Sequence, residues 1–135
     1  MHLYLETSVW NFLIADDAPN KKAITKVFFE QARKNSDSLY ISPLVITEIN
    51  NTAMDERKTI LLDLIQEYQP FMLSSNENIM KLTEKYIEEK AMGEKHINDA
   101  LHIAYATVAN MDLLLSWNMR HIARHHTRHI VRAVN

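Results

Sequence analysis

The chain of 135 residues has no cysteine, a single glycine (Gly93) and three prolines. Without cysteine there is no disulfide framework and no thiolate zinc site. So few turn-forming residues argue against an all-β fold, which needs many tight turns. No apolar run is long enough to span a bilayer. The first residues, MHLYLETSVW, lack the basic region and long apolar stretch of a signal peptide, so a cytoplasmic location and no membrane contact are expected. Acid is missing from the last 20 residues, which hold four Arg and four of the seven His. The residues before them carry 17 acidic against 11 basic side chains, a net −6. A basic terminal segment therefore follows an acidic body.

Apolar content of 47% and charged content of 24% are ordinary for a globular protein, and the length predicts one domain, residues 1–135. Short apolar runs predict strands at His2–Leu5, 39–42, 70–73 and 112–116. Helical spacing of apolar positions predicts helices at 21–34, 54–68, 79–91 and 100–109, with Ser75 as the N-cap before the third of these. Residues 45–49 form a short apolar helical run just past the second strand. Strands alternating with helices predict an α/β fold, a three-layer α/β/α arrangement around a parallel sheet of four or five short strands. Trp10 and Trp117 flank two strand ends and read as core.

Four oxygen-bearing side chains stand at junctions of apolar and polar sequence. Glu6 ends the first strand in LYLETSVW, with Thr7 and Ser8 as adjacent hydrogen-bond donors. Glu48 lies on the run after the second strand, in ISPLVITEIN. Asp99 opens the most apolar helix, in INDALHIAYA, where the helix dipole favours an acid. His102, three residues on, shares that face and either touches the acid or packs. Asn118 ends the fourth strand, in LLLSWNMRHIA, where it caps the following helix or offers an uncharged oxygen. Asp112 begins that strand and is expected at the opposite edge. In open α/β sheets ligands bind outside the carboxyl ends of the strands, so these residues can converge. Two carboxylates about 5 Å apart repel by roughly 3 kcal/mol at an effective dielectric of 20, which a bound cation relieves. Oxygen donors without cysteine point to Mg²⁺ or Mn²⁺.

On these residues the chain resembles the PIN-domain ribonucleases, in particular the VapC-like toxins of bacterial toxin–antitoxin pairs. LYLETSVW, ISPLVITEIN, NDALHIAYA and LLLSWNMRHIA occur in family order across nearly the whole chain. The resemblance implies Mg²⁺- or Mn²⁺-dependent hydrolysis of single-stranded RNA, a cognate antitoxin and a homodimer. It implies Glu6, Glu48, Asp99 and Asn118 as catalytic, with Glu6, Asp99 and Glu48 on the metal and Thr7, Ser8 and His102 supporting them. Two departures stand out. Glu6 replaces the family's shorter Asp, which is expected to weaken the first metal contact. The chain also ends at Asn135, where many relatives continue into a further edge strand, so that strand is expected to be dispensable or missing here.

Arg120, Arg124, Arg128 and Arg132 recur every four residues beside His121, His125 and His129, predicting a basic C-terminal helix. Arg120, Arg124 and Arg128 are candidates for RNA phosphates; the alternative is a solvated basic face. Apolar positions on the helix after Met54 are a candidate dimer or antitoxin surface. The competing reading is a catalytically weakened PIN-like module that binds RNA or a partner. A phosphoacceptor receiver domain and a haloacid-dehalogenase-like phosphatase are disfavoured, because no early strand ends in the Asp that either requires.

Overall fold

The structure is a computed structural model and describes residues 1–88, 96–118 and 131–133. Its strands are β1 (His2–Leu5), β2 (Ser38–Ile41), β3 (Phe71–Met72), β4 (Leu113–Ser116) and β5 (Val131–Ala133). They form one sheet in the order β3-β2-β1-β4-β5, and every pairing is parallel. Helices α1 (Thr7–Phe12) and α2 (Pro19–Lys34) follow β1, and α3 (Pro43–Asn50) and α4 (Asp55–Tyr68) follow β2. Helices α5 (Glu77–Glu88) and α6 (Ile97–Val108) precede β4. Strand order runs outward from β1 in both directions, so the topological switch lies between β1 and β4. Right-handed crossovers then place the β1–β2–β3 connections on one face and the β3–β4 connection on the other.

The four expected strands and the parallel α/β class are present. The differences have local causes. Pro19 sits at the first helical position of α2, where its fixed φ and missing N–H cost nothing, so the helix starts before Lys21. Pro43 opens α3 in the same way. The expected cap Ser75 yields to Asn76, whose Oδ1 accepts from Ile79 N at 3.2 Å. Residues 89–91 of the expected third helix lie outside the described residues. The expected C-terminal helix is corrected at its end: residues 131–133, Arg132 among them, form β5 beside β4. The expectation that the chain stops short of a further edge strand is corrected with it. The four-residue period there was carried by Arg and His, not by an apolar stripe that a core could hold. The β-branched Val131 instead suits a strand.

Apolar side chains fill both sides of the sheet. Trp10 is fully buried and meets Phe29 and Tyr68, with ring centroids 5.3 and 6.1 Å away. Trp117, 5% exposed, packs on Phe12, and its Nε1 donates to Thr25 Oγ1 at 3.0 Å. Both tryptophans are core, as expected. Removing either ring should cost about 3–5 kcal/mol. Met54 and Ile60 are exposed and border a groove of about 460 Å³ that also takes in Ile14 and Arg57.

Scarcity of glycine has a visible consequence. Among the described residues, three left-handed turns are made by Ser36, Gln69 and Asn110, with φ of 55°, 48° and 55°. Gln69 ends α4, and its N–H closes on Ile65 O at 2.9 Å. Glycine carries no Cβ penalty there, whereas another L-residue loses roughly 1 kcal/mol. Gln69→Gly should therefore raise the unfolding free energy by about 0.5–1 kcal/mol. Urea unfolding should show a higher midpoint with an unchanged slope.

Candidate functional site

Side-chain alternation along the strands builds the site. In the parallel register Tyr4 lies beside Tyr40 and Leu114. Two residues on, Glu6, Ser42 and Ser116 follow on the same face, just at or past the strand ends. This is the carboxyl edge of the sheet at its topological switch. Asp112 lies at the other edge, accepting from His2 N at 2.6 Å through Oδ2.

Glu6 is only 5% exposed. Its backbone N still donates to Leu115 O at 3.1 Å, extending the β1–β4 ladder. Its side chain turns back to cap α1. Oε1 accepts from Ser8 N at 2.8 Å, from Ser116 Oγ at 3.0 Å and from Ser8 Oγ. Ser8 Oγ in turn accepts from Trp117 N at 2.9 Å, and Ser116 Oγ accepts from Asn118 N at 3.0 Å. The ends of β1 and β4 are thus stitched together around one carboxylate oxygen. A buried carboxyl group without such donors would leave its polar atoms unsatisfied at a cost.

Glu48 comes from α3 and is half-buried. Its Oε1 accepts from Thr7 Oγ1 at 2.6 Å and lies 2.6 Å from His102 Nε2. Burial acts to raise the Glu48 carboxyl. It is outweighed by the hydrogen bond and charge of His102, with Thr7 and Asn98 adding hydrogen bonds, so the group is held below its usual value. His102 is fully buried on α6, and its Nδ1 lies 2.7 Å from Tyr4 Oη. Tyr4 Oη is 2.7 Å from Ser42 Oγ. Burial pushes the Tyr4 phenol well above its ordinary value, with Ser42 opposing and the charges of Glu6 and Glu48 reinforcing.

The candidate residues therefore separate into groups. Glu6, Glu48 and His102 converge, with one donor atom from each within 4.8 Å of the others. Asp99 stands in the first turn of α6, partly buried, with Oδ2 3.3 Å from His96 Nδ1. Asn118 is exposed beyond β4. Thr7 and Ser8 each hold one of the two glutamates. Arg120, Arg124 and Arg128 lie outside the described residues. Tyr4, Ser42, Ser116 and Asn98 were not singled out from sequence. The first three were detectable by counting in twos along the strands from Glu6.

The donor chemistry suits a hard cation. Two ligands sharing an ion at about 2.1 Å lie no more than roughly 4.2 Å apart, and the ligand atoms of Glu6, Glu48 and His102 all lie within 4.8 Å of one another. All donors given to Glu6 by described residues go to Oε1, as do those of Thr7 and His102 to Glu48. Asn98 adds a further hydrogen bond to Glu48.

Fold and site together define a doubly wound α/β domain with an oxygen-rich cluster at its switch point. The chain belongs to the PIN domain family, whose model matches residues 3–124. It is similar in fold to a chain of the VapBC2 complex from Rickettsia felis, solved bound to a DNA fragment from its promoter. That likeness has a TM-score of 0.70 and 19% identity over 100% of each chain. A chain of VapBC-1 from nontypeable Haemophilus influenzae matches with a TM-score of 0.65 and 20% identity over 98% of each. FitAcB from Neisseria gonorrhoeae matches at 0.63 and 11%, covering 98% of this chain and 96% of that one. No curated protein sequence matches the chain.

The depressed Glu48 carboxyl sets a sign for pH dependence. Its folded value is below its unfolded one, so the unfolded chain binds more protons in between and stability rises with pH there. The stabilisation is fully present above the unfolded value of about 4.3 and is lost as pH falls through the folded value. Unfolding free energies of the natural protein and Glu48→Gln should therefore differ by a constant amount above about pH 5.5. The natural protein should lose that advantage progressively below about pH 4.5. Urea titrations of both proteins across this range are the check.

Proposed function

We propose that this protein is a metal-dependent endoribonuclease that hydrolyses single-stranded RNA, acting as the toxin of a toxin–antitoxin pair. The observation that carries the reading is the convergence of Glu6 and Glu48, from different elements, at the switch point of a PIN-family sheet. Glu6, Glu48 and Asp99 would hold Mg²⁺ or Mn²⁺. When bound, such an ion activates water and offsets charge on a phosphodiester under attack.

The chain's own residues do the positioning. Ser8 and Ser116 keep the Glu6 carboxylate at the mouth of the sheet. Thr7, Asn98 and His102 keep Glu48 ionised and aimed. Asp99 adds a third acid from the first turn of α6, where the helix dipole favours its charge. Asn118, at the end of β4, supplies an uncharged oxygen for the attacking water or the substrate. The basic residues Arg120, Arg124 and Arg128 suit RNA phosphates by their charge and spacing.

The antitoxin and homodimer belong to the same reading. They are supported by the likeness to chains of VapBC complexes and by the exposed Met54 and Ile60 beside their groove. No helix among the described residues is long and apolar enough to cross a membrane. A cytoplasmic location belongs to the same reading, with RNA as the substrate.

A second reading rests on one specific feature, Glu6 where the family pattern places Asp. It makes the protein a weakened PIN module that binds RNA or a partner without useful cleavage.

Cleavage of a fluorescent single-stranded RNA with Mn²⁺ or Mg²⁺ separates the two. The natural protein should cut, EDTA should stop it, and Asp99→Asn should lower the rate about a hundredfold or more. Glu6→Asp should cut no faster than the natural protein. Cleavage that appears only in Glu6→Asp would establish the second reading, and silence in all variants would sink the nuclease.

A further inference from the structure

Fully buried histidines need partners for both ring nitrogens. His102 has them, and they form a line: Ser42, Tyr4, His102, Glu48. We propose that His102 is a positioning residue, orienting Glu48 toward the cation through an Nε2–H donor and giving no nitrogen to the metal. The inference deepens the metal-nuclease reading and rests on it.

The argument is one of hydrogen bookkeeping. Glu48 Oε1 already accepts from Thr7 Oγ1 at 2.6 Å and faces His102 as an acceptor. A nitrogen 2.6 Å from its Oε1 must carry the hydrogen between them. That nitrogen then has no lone pair for a metal. The other, Nδ1, is 2.7 Å from Tyr4 Oη and buried beneath the tyrosine. Nδ1 is thereby paired with the phenol, which burial keeps protonated. Tyr4 Oη is in turn 2.7 Å from Ser42 Oγ. The line ends on Glu48 Oε1, to which Thr7 Oγ1 also donates.

Three elements are tied by this line. Tyr4 belongs to β1, Ser42 precedes α3, and His102 is on α6. The sheet therefore sets the ring, and the ring sets a carboxylate on a separate helix. Metal-ligating groups oriented in this way typically lose 10–100-fold in metal affinity when the partner is removed. The donor set that remains is all oxygen, which favours Mg²⁺ and Mn²⁺ over zinc.

The test uses Mn²⁺ and the full-length protein, without reference to cleavage. Free Mn²⁺ is followed by electron paramagnetic resonance to give affinity. Electron spin-echo modulation then reports nitrogen bonded directly to the bound ion. His102→Leu should weaken Mn²⁺ binding by about 10–100-fold. His102→Gln, whose amide can donate from a similar place, should stay within a few-fold of the natural protein. Tyr4→Phe should fall between them. The modulation pattern of the natural protein should contain no nitrogen coupling that disappears in His102→Gln.

That comparison discounts the six other histidines of the chain and needs no leucine variant to fold. A nitrogen coupling lost in His102→Gln overturns the proposal and makes His102 a ligand. Unchanged affinity in folded His102→Leu overturns it as well. A natural protein that binds no Mn²⁺ overturns the metal reading beneath it, a result distinct from both.

Discussion

A carboxylate buried at the end of the central strand has to be surrounded by donors, and much of this molecule is arranged around that demand. Glu6 receives the amide and hydroxyl of Ser8 and the hydroxyl of Ser116. Each donor fixes something else. The Ser8 amide starts α1, so the carboxylate is also the helix cap. The Ser8 hydroxyl accepts from Trp117 N, and the Ser116 hydroxyl accepts from Asn118 N. The turn after β4 is therefore shaped by the same oxygen that ends β1. The two strands that flank the topological switch meet at one charge.

Glu48 brings a second charge to that place from α3. Carboxylate oxygens within about 5 Å repel by roughly 3 kcal/mol at an effective dielectric of 20. His102 offsets part of this through a short hydrogen bond in a buried setting, and Thr7 and Asn98 add to it. The donors to Glu6 among the described residues gather on its Oε1, as do Thr7 and His102 on Oε1 of Glu48. Among the described residues no arginine or lysine bridges the two acids.

Much of the fold was legible because strands here are short apolar runs separated by helical periods. The proline-led starts of α2 and α3 follow the same chemistry, though α2 begins two residues before the expected Lys21. β5 was hidden because charged residues at a four-residue spacing imitate a helix when no apolar stripe is demanded of them. The single-turn-scale helix α1 was hidden because TSVWNF is too short to display a period. Glu6 and Glu48 could be nominated from their place after strands. Which way His102 faces was open from sequence, since its spacing suggested Asp99 as the neighbour. In the fold Asp99 turns to His96, and His102 turns to Glu48. Helical spacing gives the face a residue occupies, but only the packing of α3 against α6 decides which acid it meets.

The length of the residue 6 side chain can be judged against these surroundings. An Asp would end about 1.5 Å nearer the strand, one carbon–carbon bond shorter. It could still cap α1, since Asp is a favoured N-cap residue. The outer end of the donor set is a different matter. Ser116 Oγ meets the glutamate oxygen at 3.0 Å, and the cluster with Glu48 and His102 is drawn within 4.8 Å. A shortened carboxylate would have to leave the Ser116 hydroxyl, the Glu48 side of the cluster, or both. A buried hydroxyl that loses its acceptor costs about 1–3 kcal/mol. Ser8 and Ser116 therefore form a set matched to the longer acid, which argues that Glu6 is accommodated by its neighbours rather than left as a misfit in a site shaped for Asp.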